Sequence, residues 1–91
     1  QKSESTILNV LQIKESGLQL NSYGLNFDEI VKESDEYNWS ALGEQLERVK
    51  TKYPDSEDII ISPEASIRYE TIIAIMDRCR DAGFPLISIS G

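Results

Sequence analysis

The stretch DIIISPEASIRYETIIAIMDRCRDAGF, residues 58–84, constrains this chain more than any other part of it. It opens on Asp58-Ile59-Ile60-Ile61-Ser62, a short β-branched apolar run of the kind buried on both faces of a sheet. Pro63 closes the run, because proline brings no amide hydrogen to a ladder and fixes the backbone for a turn. From Tyr69 the period changes: Tyr69, Ile72, Ile73, Met76 and Cys79 recur at three- and four-residue steps, which is one face of a helix. Gly83 supplies the stop, since it adopts left-handed backbone without a steric penalty. Leu86, Ile87 and Ile89, within residues 85–90, then form a last apolar strand. The whole is a βαβ unit, whose crossover is expected to be right-handed.

Upstream, TILNVLQIK (residues 6–14) reads as a first strand. Leu8 and Val10 point one way and Ile7, Leu11 and Ile13 the other, so both faces are expected to be partly covered, with Asn9 and Gln12 exposed near an edge. Glu15-Ser16-Gly17 reads as a hairpin turn with Gly17 at a positive-φ position, returning into a second strand that faces Leu18 and Leu20 inward. Residues 23–37 carry five acids against Lys32. Asn26 and Glu29 are spaced as a capping box, which predicts one helical turn over residues 27–31 pinned by Phe27 and Ile30, inside a largely solvated loop. A calcium loop fits poorly, because the oxygens do not alternate as they must and the central glycine is missing.

Asn38 is a good N-cap for a helix over residues 39–52. Trp39, Leu42, Leu46, Val49 and Tyr53 make a continuous apolar stripe, while Glu44 and Arg48 are placed for an i,i+4 pair. Gly43, inside the helix, is expected to mark close approach to the sheet. Pro54 ends the helix. The predicted fold class is therefore α+β, in the order ββαβαβ, with two helices packed on one face of one small mixed sheet.

That order, with its residues, resembles the ExbD/TolR biopolymer-transport family. The likeness runs through the Ile-rich strand, Pro63-Glu64-Ala65, Ile67-Arg68-Tyr69, Ile72-Ile73-Ala74-Ile75-Met76-Asp77 and Ala82-Gly83-Phe84. It extends upstream through Tyr37-Asn38-Trp39-Ser40-Ala41-Leu42 and Lys52-Tyr53-Pro54-Asp55. The resemblance implies a periplasmic domain, residues 6–91, on a single-pass inner-membrane protein of a Gram-negative bacterium, with residues 1–5 a linker from an anchor outside this sequence. It further implies an ExbD-like stator subunit that uses the proton-motive force to drive a TonB-like transducer. An ExbB-like membrane subunit would be the partner of the anchor, and the domain would form a homodimer. A TolR-like, peptidoglycan-associated role is the alternative within the family.

The chemistry of the residues agrees with a domain that binds rather than reacts. Ninety-one residues make one domain, and with no histidine and one cysteine the usual general base, an internal disulfide and cysteine-based zinc sites are all excluded. A net charge of -7 excludes nucleic acid as a partner, because phosphates demand a basic surface. No catalytic residue, metal site or cofactor is indicated. Cys79 reads as a small buried thiol, and Asp77 and Asp81 with Arg78 and Arg80 as surface ion pairs. The feature with functional content is the last strand, Leu86, Ile87, Ser88 and Ile89, as an exposed edge able to accept another chain. Tyr69, read as anchoring the helix start on the sheet, and Asp77 complete the expected partner-binding set. A small-ligand domain remains the rival from another class, with residues 62–68, the loop after Leu20 and Arg68 as its site.

Overall fold

A computed structural model describes residues 8–90. The expected linker at residues 1–5, and Thr6 and Ile7 of the expected first strand, lie outside the described residues. The elements are β1 (Asn9–Ile13), β2 (Gly17–Ser22), β3 (Ile30–Val31), α1 (Trp39–Lys52), β4 (Asp58–Pro63), α2 (Tyr69–Asp81) and β5 (Leu86–Ile89). The strands form one sheet in the order β3-β2-β1-β4-β5. β1 is antiparallel to β2, and β2 to β3, while β4 runs parallel to both β1 and β5. The fold is the expected α+β mixed sheet with two helices, plus one short strand.

Register decides which side is wet. Leu11 stands between Leu20 and Ile61, and Ile13 opposite Leu18, so these side chains share one face with Ile59. All six are buried, and they meet Leu42, Leu46 and Val49 of α1, Ile75 and Cys79 of α2, and Phe84. α1 packs over β2 and α2 over β4 and β5, which places both helices on that face. Burying such side chains contributes roughly 1.5–3 kcal/mol each before the entropy of ordering the chain is subtracted. Among the described residues the opposite face carries no helix.

Three expectations are corrected here. β1 is the central strand rather than near an edge, and Asn9 is only 1% exposed. Its amide is satisfied inside: Nδ2 donates to Ser56 Oγ at 2.8 Å and to the Asp58 carbonyl at 3.0 Å, and Oδ1 accepts from Ser22 Oγ at 2.7 Å. The helical turn at residues 27–31 is absent. Ile30 and Val31 instead pair with Leu18 and Gly17 as β3. Gly17 opens β2 rather than sitting in the turn, and a Cβ there would collide with the Ile30 carbonyl oxygen, so glycine is what admits β3.

Both helices have the expected spans. Asn38 caps α1 by accepting the Ala41 N–H at 3.0 Å. The proposed crowding at Gly43 is not there: a Cβ at that position would meet nothing within 4 Å. Arg48 lies 4.8 Å from the centre of the Phe27 ring, in place of the expected Glu44 pairing. In α2 the burial is rotated from the expected stripe. Ile75 and Cys79 are buried and Ile72 and Met76 partly so, whereas Tyr69 is 73% exposed and Ile73 stands at the surface.

Candidate docking surface

β5 is an edge strand. The Leu86 N–H donates to the Glu57 carbonyl at 3.1 Å and the Ser90 N–H to the Ile61 carbonyl at 2.8 Å. Alternate residues of a strand bond to the same neighbour, so the N–H and C=O groups of Ile87 and Ile89 point away from β4. Among the described residues that is an unpaired backbone row beside apolar side chains.

The two flanks of this edge differ. Ile87 stands opposite the buried Ile59, so Ile87 and Ile89 lie on the helix side and Leu86 and Ser88 on the open side. Arg78 of α2 reaches back over the Trp39 ring of α1 at 4.7 Å, which fixes the rotation of the helix. Tyr69 and Ile73 lie on the flank of α2 opposite Arg78 and are exposed, as is Ile89 of the edge strand that α2 packs over. Asp77 is one turn further on, ion-paired to Arg80 at 2.8 Å. Of the expected binding residues, Leu86, Ile87, Ser88 and Ile89 form the edge strand, and Tyr69 and Asp77 lie on the helix packed over it. Tyr69 is an exposed ring and not an anchor on the sheet.

On the helix-free side, a groove of about 500 Å³ runs between the starts of β1, β4 and β5, lined among others by Leu8, Asp58, Ile60, Pro85, Leu86 and Ser88. Leu8 and Leu86 are 60% and 56% exposed. Sequence reasoning passed over this groove, although Leu8 and Val10 pointing away from Leu11 was its signal.

The cations of this chain make local contacts. Of the nine Lys and Arg residues, all but Lys2 lie in the described region, and each of them is engaged within the fold. Lys14, Arg68 and Arg80 pair with Glu29, Glu70 and Asp77. Lys32, Lys50 and Lys52 lie over the rings of Tyr37, Phe84 and Tyr53, alongside Arg48 and Arg78 already described.

The rival small-ligand site is split by the register. Ile13 pairs with Pro63 at one end of the sheet and Asn9 with Ser22 at the other, so residues 62–68 and the loop after Leu20 are on opposite ends. At the first end Glu64 accepts the Glu15 N–H at 2.8 Å, and Ser66 hydrogen-bonds the other carboxylate, Glu15. Two acids beside an Arg68 already paired to Glu70 make a poor anion site. Among the described residues no group of three metal-ligating side chains converges.

The sequence pattern of the biopolymer transport protein ExbD/TolR family matches residues 1–91. The chain belongs to the ExbD/TolR family. No curated protein and no solved structure gives a significant match. ExbD/TolR proteins serve energy coupling in biopolymer transport; they are a non-enzymatic, membrane-associated family that functions within membrane complexes. Among the described residues of this ExbD/TolR chain, no helix is long and apolar enough to cross a membrane. Cys79, the free cysteine, is buried, and loss of solvent pushes its thiol up to about 12 from an ordinary 9.0. A thiol so hard to ionise is a packing element rather than a nucleophile.

Proposed function

We propose that residues 6–91 form the periplasmic domain of an ExbD-like stator subunit, which couples the proton-motive force to a TonB-like transducer by holding partner polypeptide at the β5 edge. The domain does no chemistry itself. Its task is grip, and the proton-driven step belongs to a membrane anchor and an ExbB-like subunit. A second copy of the domain is a further occupant of the same edge, as a homodimer.

The observation that carries this reading is the outward-facing backbone of Ile87 and Ile89, with exposed apolar side chains at Ile89 and, on the helix packed over this strand, at Tyr69 and Ile73. An extended segment laid along β5 gains main-chain hydrogen bonds from the first and side-chain burial from the second.

Ile89→Pro is the sharp test, because it removes an outward N–H and no ladder bond to β4. A peptide from a TonB-like transducer, titrated into the chain and followed by amide chemical shifts, should shift β5 and lose at least about tenfold in affinity in Ile89→Pro, the loss of roughly one or two edge hydrogen bonds. Ile89→Ala should retain most of the binding. Unchanged binding by a folded Ile89→Pro protein, or by one with charged residues at both Ile87 and Ile89, would overturn the reading.

A further inference from the structure

We propose a second docking site on the helix-free face: the groove between Leu8 and Leu86 takes a polypeptide segment that presents an apolar side chain next to a lysine or arginine. The groove adjoins the start of β5, where Leu86, Ile87 and Ser88 line it, and stops short of Ile89 at the far end of the edge. Its walls are apolar, from Leu8, Ile60, Pro85 and Leu86, and its rim carries one carboxylate, Asp58. Among the described residues Asp58 has no ion-pair partner, and no cation lines the groove. Glu57 and Asp55 precede it on the chain, while the nearby Lys50 ammonium is held on the Ser56 carbonyl and over the Phe84 ring.

Those facts select the occupant by charge. A second copy of this chain brings another net -7, so the two copies repel over distance. An anionic amphiphile meets Asp58 head-on. A cationic, apolar segment of another protein gains burial between two leucines that are otherwise more than half exposed, and an unpaired carboxylate for its amine or guanidinium. The site goes beyond strand addition at β5 and does not depend on it.

A short synthetic peptide alternating leucine and lysine is the probe, titrated into the chain and followed by amide chemical shifts. Saturating shifts are expected at Leu8, Asp58, Ile60, Leu86 and Ser88. Asp58→Asn should weaken binding about tenfold, the loss of one charge-assisted contact, and Ser88→Lys, which puts a cation in the groove, should abolish it. Both positions are exposed, and thermal unfolding checks that the variants fold. Ile89→Pro should leave this binding unchanged, which separates failure of the groove from failure of the edge. Equal shifts from the same peptide with glutamate for lysine would overturn the proposal. So would shifts concentrated around Glu33 and Glu36, or groove shifts that follow protein concentration without peptide and report a second copy.

Discussion

The Lys50 ammonium lies 4.6 Å from the centre of the Phe84 ring and hydrogen-bonds the Ser56 carbonyl. One side chain of α1 thus ties the turn before β4 to the turn before β5. Gly83 makes room for it: φ there is 100°, and a Cβ would stand 2.6 Å from Lys50 Cε. Lys50→Met keeps the apolar stem but loses the charge over the ring and the hydrogen bond, and should cost about 1–2 kcal/mol in urea unfolding. Gly83→Ala should cost about as much through backbone strain and the displaced lysine. If the two share a cause, Gly83→Ala should cost less in a Lys50→Ala background than in the wild type, a non-additivity that a double-mutant cycle reads directly.

Gly43 offers the reverse case. It lies inside α1, and the space above it is empty to 4 Å. Alanine there loses less backbone entropy on folding and meets no neighbour. Gly43→Ala should therefore stabilise the domain by about 0.5–1 kcal/mol, read as a rise in the urea midpoint with an unchanged slope.

Asn9 ties three segments together from the centre of the sheet, through Ser22, Ser56 and the Asp58 carbonyl. Removing its amide leaves the buried Ser22 hydroxyl, and the partly buried Ser56 hydroxyl and Asp58 carbonyl, without their partner. Asn9→Ala should cost about 2–4 kcal/mol, more than truncation of one hydrogen bond, because several polar groups are stranded at once. The same measurement on Gln12→Ala, on the exposed face, should move the midpoint by no more than about 0.5 kcal/mol.

The helices were legible because their signals are local. Asn38 and the stripe Leu42, Leu46 and Val49 specify α1 without reference to anything distant. The span of α2 was equally plain, but its rotation was not. Tyr69 and Ile73 belong to the same apolar periodicity as Ile72 and Met76, and they turn outward because the face with Ile75 and Cys79 takes the core, with Arg78 over Trp39, 39 positions away in the chain. β3 escaped notice for a related reason. Two residues cannot declare themselves a strand; they become one because Gly17 lets their backbone come close. The β5 edge could be anticipated from its terminal place in the order and from Pro85. The groove beside it depends on β1 lying next to β4, and the pairing of distant strands is not written in either segment.

Cys79 gives a pH dependence with a definite sign. Burial raises its thiol from 9.0 to about 12, so the folded chain holds this proton more tightly than the unfolded one. Below pH 9 both states are protonated and the contribution is complete. As pH climbs from 9 toward 12, the unfolded thiol ionises while the folded one resists, and stability is lost across that window. Tyr37 acts in the same direction, its phenol raised above 10.0 by burial and then by the nearby Glu15 and Glu64 carboxylates. The two are separated by substitution: urea midpoints measured from pH 8 to 11 should fall more steeply for the wild type than for Cys79→Ala, and the remaining slope should diminish further in Tyr37→Phe. The same burial predicts that a disulfide reagent labels native Cys79 only at the rate of opening of the fold, and at full speed in urea. Rapid labelling of the native protein at pH 8 would mean that α2 does not cover its thiol as described.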